Sequence, residues 1–358
     1  MAVTDFRSPV RLLEGVKVLD LSILGPGAVA GFLVDLGADV TKIESPAGDY
    51  VRQMTWPIVE GPSLLPPHVN RGKKSLTLDL KKPEAIAIFE DLVRTSDVVV
   101  EAMRPGFLDK RGFTFERLTE LNPKIVVCSI SGYGATGPYR DLPSHGIAYD
   151  TWSGGVKPTV DEQGFTRLPD QVNIGITAGP AFGALAILAA VIRARETGQP
   201  AAMEFAQSDA AAYFDWYRIE THKAYERPQS EVTGNASDEF ERRAPGTAGM
   251  YEGVRYQAYE AADGHVLFMA SEQEFWKNFC QGVDRMDLFE KWPGKKIADH
   301  ARGNLELQAE LRDIFRTKTC AEWLAVAGEH NTTIAPINTP KTVMDDAQFQ
   351  DRFTWVGA

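Results

Sequence analysis

The feature that most restricts the fold is an alternation, through the first third of the chain, of short apolar runs with amphipathic stretches. GVKVLDLS (15–22), DVTKIES (39–45), KSLTLDL (74–80), DVVVEAM (97–103) and KIVVCSISGYG (124–134) each read as a strand. Between them, GPGAVAGFLVDLGAD (25–39) reads as a glycine turn and short helix. PEAIAIFEDLVRTS (83–96) reads as an amphipathic helix with Pro near its first turn, and FTFERLTELN (113–122) as another. Strands separated by helices cannot be joined by tight hairpins. They predict an α/β fold with a Rossmann-like parallel sheet covered on both faces.

Further on, the apolar run AFGALAILAAVI (181–192) predicts a buried helix over 181–196 that is too short to span a bilayer, and 199–220 a strand followed by a long helix. The polar segment 226–249 marks a boundary or long loop. YQAYEAADGHVLFMAS (256–271) is a hairpin pattern turning through Asp-Gly, and the remainder of the chain is mostly helical in pattern. The expected organisation is a large α/β domain over 1–225, a linker over 226–253, a smaller α+β domain over 254–335, and a return towards the large domain over 336–358.

With 358 residues and a net charge of −11, the chain is a poor candidate for binding nucleic acid through a general basic surface. Its three cysteines show no CxxC pair and its six histidines no HxxxH spacing, so neither a disulfide framework nor a metal site is expected. The N-terminus has no signal-peptide pattern, and the expectation is a cytoplasmic protein with no membrane association. GPGAVAG is neither GxGxxG nor a Walker sequence, and reads as a strand-to-helix turn. In an acidic chain, two local basic clusters stand out: NRGKK, with Asn70, Arg71, Lys73 and Lys74, and MRPGFLDKRG, with Arg104, Lys110 and Arg111. Such clusters suit phosphate groups.

LEGVKVLDLS, GPG, DLGADVTKIESPAGD, NRGKKSLTLDLKKPEA, DVVVEAMRPGFLDKRGF, LNPKIVVCSISGYGATGPYRD and ILAAVIRARETGQ occur in the order seen in the family III CoA-transferases. The chain resembles that CaiB/BaiF family, which includes the 2-methylacyl-CoA racemases, over roughly residues 12–355. The resemblance implies an interlocked dimer, with coenzyme A or acyl-CoA as substrate and no permanently bound cofactor. It implies CoA moving between carboxylic acids, and CoA contacts from Asn70, Lys73, Arg104 and Lys110. Ser45 stands where some relatives carry an arginine.

In transferases of this family an aspartate attacks the acyl-CoA, and in racemases a carboxylate and a histidine exchange the α-proton. Ser144-His145-Gly146-Ile147-Ala148-Tyr149 matches the racemase histidine and tyrosine but has Gly146 in place of an acid. Anchored on ILAAVIRARETG, the aspartate position reads Gly175. The candidate catalytic groups are therefore His145 and, as a displaced carboxylate, Asp170. Asn173 cannot attack in this way, while Asp150, Glu204 and Asp209 read as structural strand-end or helix-start residues. Three readings stay open: a CoA-transferase, a racemase-like enzyme using His145, or a non-catalytic CoA-binding subunit. The partner is accordingly a second copy or a paralogue carrying the aspartate. Relatives also continue by a few tens of residues beyond the position of Ala358.

Overall fold

The computed structural model describes residues 11–54, 63–231, 251–295 and 299–353. It divides into two compact units, Met1–Glu220 and Thr221–Ala358. Most of the expected boundary segment, 232–250, lies outside the described residues.

In the first unit, the strands are β1 (Lys17–Leu21), β2 (Asp39–Glu44), β3 (Lys74–Thr77), β4 (Val98–Glu101) and β5 (Val126–Ser131). They are joined by α1 (Ala28–Asp35), α2 (Leu65–Val69), α3 (Pro83–Arg94) and α4 (Phe115–Leu121). After α5 (Ile147–Trp152), a small hairpin of β6 (Thr159–Val160) and β7 (Thr166–Arg167) precedes α6 (Ile174–Thr197). The unit continues with β8 (Ala201–Ala206), α7 (Gln207–Phe214) and the start of α8 (Trp216–Tyr225). The six large strands form one parallel sheet in the order β3-β2-β1-β4-β5-β8.

Burial on both faces explains the unbroken valines of β4. Val98 and Val100 join one apolar cluster with Val29, Leu33, Ile187 and Val191 from α1 and α6. Val99 joins the other, with Phe89 and Leu118 from α3 and α4. Strand order reverses between β1 and β4. The carboxyl ends of those strands diverge there, which leaves a crevice open to ligands.

Three expectations are corrected here. The long apolar helix starts at Ile174, not near Ala181, and runs through Pro180. Proline removes one ladder bond, to the carbonyl of Ile176, while the Asp150 carboxylate accepts from the N–H groups of Ile174 (2.7 Å) and Gly175 (3.2 Å) at the helix start. At 24 residues the helix is long and apolar enough to cross a bilayer; its inner face, including Gly183, Ile187 and Ala194, packs into the core. The single helix expected after β8 is broken at Asp215 into α7 and α8.

In the second unit, β9 (Tyr256–Glu260) and β10 (His265–Met269) form the expected hairpin, and β11 (Ile334–Pro336) adds a third antiparallel strand. Around them stand α9 (Gln273–Gly282), α10 (Met286–Lys291), α11 (Leu305–Phe315) and α12 (Cys320–Glu329), with α13 (Ala347–Arg352) near the end. The core is aromatic: Phe268, Trp276, Phe279, Phe315 and Trp323 are fully buried. Both indole N–H groups find carbonyls at 2.8 Å, those of Trp292 and Phe315.

Candidate functional site at the carboxyl edge of the sheet

A cavity of about 350 Å³ lies at the crevice between β1 and β4. Leu24 and Pro26 of the turn after β1 line it, with Arg104 after β4 and the segment Ile130–Tyr133 at the end of β5. Arg140, Ser144, His145, Tyr149, Ile176 and Gln207 complete its polar and apolar walls. Among the described residues lining it, none is an aspartate or glutamate.

The turn after β1 is held by charge from below. Lys42, buried, donates to the Ser22 carbonyl at 2.6 Å and pairs with Asp49 at 3.1 Å. Asp49 accepts from the Leu24 N–H at 3.3 Å, which helps to hold Leu24 at φ 57°, a left-handed conformation costly for a leucine. Lys73 reaches the Gly27 carbonyl and the Asp20 carboxylate, each at 2.7 Å, and the Asn70 amide oxygen at 3.1 Å. Asp20 also accepts from the backbone and hydroxyl of Ser22. Burial draws the Lys73 ammonium below the usual lysine range, with Asp20 opposing.

These contacts occupy Lys73. Its three N–H donors are all used internally and its side chain is 1% exposed, so in this structure it offers no free donor to a phosphate. Asn70 is drawn inward with it, its amide Nδ2 buried and unpartnered. Neither residue lines a cavity at the sheet edge, and Lys110 is exposed and lines none either. Arg104 is exposed on the cavity wall.

The position that the resemblance gives to the carboxylate is packed inward. Gly175 is buried against Tyr149 and α7 and does not line the cavity. A Cβ there would stand 2.8 Å from the Tyr149 Cβ and 3.0 Å from the Gln207 carbonyl. The side chain that faces the cavity is that of its neighbour Ile176, packed against Gly25 and Gly146. Asp170 is exposed and lines none of the cavities at the sheet edge. His145 does line the cavity, but its imidazole has no hydrogen-bond partner among the described residues. Asp150, five residues on, is spent on the start of α6.

Tyr149 packs edge-on to Tyr133, and its hydroxyl lies 3.2 Å from that of Ser144. Burial raises the Tyr149 pKa, with the Ser144 bond working the other way, so it enters the cavity as a neutral donor or acceptor. Gln207 is buried at the carboxyl end of β8, and its amide Oε1 has no partner. Sequence reasoning missed Gln207, Ile176 and Arg140. The first directly follows a parallel strand, where ligand-facing groups concentrate. Arg140 lies in the quoted run GPYRD, and it pairs with the adjacent Asp141 at 3.4 Å.

The model of CoA-transferase family III matches residues 13–357. The chain belongs to that family. A probable fatty acyl-CoA transferase of Mycobacterium tuberculosis is 29% identical, over 96% of this chain and 87% of its own length. Human succinyl-CoA:glutarate CoA-transferase is 30% identical, over 95% of this chain and 74% of its own length. A crystal structure of a hypothetical protein from Mycobacterium tuberculosis superposes with a TM-score of 0.76 at 26% identity, covering 96% of this chain and 89% of that one. Family III therefore accounts for the architecture along nearly the whole chain.

Proposed function

We propose that this chain binds a CoA thioester at the carboxyl edge of β1, β4 and β5. In this reading it serves the transfer of CoA between carboxylic acids as a subunit without the nucleophile, and a second polypeptide of the same family supplies the attacking carboxylate. The observation that carries this reading is the cavity lining: two arginines, a histidine and a buried glutamine amide, with no carboxylate among the described residues. Covalent capture of an acyl group needs an attacking oxygen. Ile176 offers none, and Gly175 is packed away from the cavity. Arg104 and Arg140 supply charge for the CoA phosphates, Gln207 a buried acceptor, and the strained turn at Leu24 a fixed wall. Racemase-like proton exchange is not favoured, because His145 has no carboxylate beside it in the cavity to complete the pair.

Titration calorimetry with free CoA tests the binding. Arg104→Ala and Arg140→Ala should each weaken it by about 1–3 kcal/mol, as expected for charge-assisted contacts. Incubating the isolated protein with an acyl-CoA and hydroxylamine should yield no hydroxamate on any peptide. A hydroxamate on Asp170 or another carboxylate would return the chain to the self-sufficient transferases.

A further inference from the structure

A second cavity, about 490 Å³, adjoins the first and shares Leu24, His145, Gly146 and Ile176 with it. Its remaining wall is mostly hydrocarbon, including Ala28, Phe32, Val51, Leu65 and Val69. We infer that this chamber receives the aliphatic acyl chain of a CoA thioester, and that Ile176 sets the passage into it. The inference rests on the CoA-binding reading and adds the class of acyl group.

Three observations carry it. First, the two cavities meet at His145 and Ile176, so a ligand with its thioester in the first has its acyl chain directed at the second. Second, the passage is built by glycines. A Cβ on Gly25 would collide with the Ile176 side chain, and one on Gly146 would lie 3.0 Å from its Cδ1. Larger residues at either position would displace Ile176 and narrow the junction. Third, the guanidinium on the chamber wall is already paired. Arg71 holds the Asp35 carboxylate, through Nε at 2.8 Å and through Nη2, and also donates to the His68 carbonyl. A terminal carboxylate on the acyl chain would lose its hydration and find no free guanidinium, only the imidazoles of His68 and His145 on an otherwise mostly apolar wall. A hydrocarbon chain loses nothing of that kind, and each methylene buried should tighten binding roughly fourfold.

The test is calorimetry on the full-length protein with free CoA, butyryl-, hexanoyl-, octanoyl- and succinyl-CoA. Affinity should climb from butyryl- to hexanoyl-CoA by roughly fourfold per methylene, with an increasingly negative heat-capacity change. Succinyl-CoA should bind at least tenfold more weakly than butyryl-CoA, which has the same number of acyl carbons. Ala28→Phe, which fills the chamber, should flatten the series. The heat-capacity trend in the unaltered protein gives the same answer if that variant does not fold. A flat series with free CoA still bound overturns the acyl chamber and leaves the CoA reading standing, as does succinyl-CoA binding more tightly than butyryl-CoA. Failure to bind free CoA or any thioester overturns the CoA reading, and this inference with it.

Discussion

Beneath the turn after β1, Asp20, Lys42, Asp49 and Lys73 are all buried and compensate one another in two ion pairs. The cavity walled by that same turn holds two exposed arginines and a histidine without a partner among the described residues, and none of its described lining residues is a carboxylate. The difference separates two uses of charge. The buried pairs fix backbone: their donors and acceptors end on the Ser22 and Gly27 carbonyls and the Leu24 N–H. The cavity's cations stay at the surface, Arg140 beside the exposed Asp141 at 3.4 Å. A basic run such as NRGKK is therefore a poor guide to ligand contact until its internal partners are known.

The largest expected effect comes from breaking the buried side of that comparison. Lys73→Met leaves the buried Asp20 carboxyl without its ammonium partner, and should cost about 3–5 kcal/mol in urea unfolding. Adding Asp20→Asn should recover much of the loss. A single variant of unchanged stability but reduced CoA affinity would move Lys73 to the ligand side. Next in size is Gly175→Asp. Crowding against Tyr149 and the Gln207 carbonyl should destabilise the protein by about 1–3 kcal/mol, and no acyl adduct should form at that position. Peptide mass analysis after hydroxylamine treatment would show one if the site faced the cavity.

A smaller effect, about 1 kcal/mol, is expected for Asp150→Asn, which keeps one acceptor oxygen for the start of α6 but removes the charge that favours a helix N-terminus. Denaturant midpoints at low and high salt would separate the two contributions. The subtlest test concerns Glu101, at the end of β4. Burial raises its pKa above 4.5, against opposing hydrogen bonds from the Met103 N–H and Ser129, with Asp109 adding to the rise. The folded protein then holds a proton that the unfolded chain has released, so this group's contribution to stability falls as pH rises from 4.5 through the folded value. Glu101→Gln removes the dependence. Its stability relative to the unaltered protein should therefore climb across that window, and a difference that is flat with pH would remove the burial effect.

Much of the large sheet was legible because its cause is local. A fully buried parallel strand must be apolar on both faces, and Val98–Val100 are; a covering helix must carry one apolar stripe, and 83–96 does. The start of α6 was not legible in the apolar run 181–192, because the acceptor that organises it, Asp150, lies on another element. Among the site residues, Arg104 and His145 do line the cavity. Asn70 and Lys73 could not be placed without Asp20, far away along the chain.

The sequence by itself determined the α/β order, the membership of family III and the lack of an acid at residues 174–176, because each is a matter of residue type in register with a repeating pattern. Only the tertiary structure decided which of two adjacent residues lines the cavity. On a helix, one position is a turn of about 100°, so moving from Gly175 to Ile176 exchanges a packed interior contact for a cavity wall. It likewise decided that Lys73 bonds Asp20 and the Gly27 carbonyl, since an ammonium bonds whichever acceptors the fold brings within about 3 Å, and sequence distance has no part in that choice.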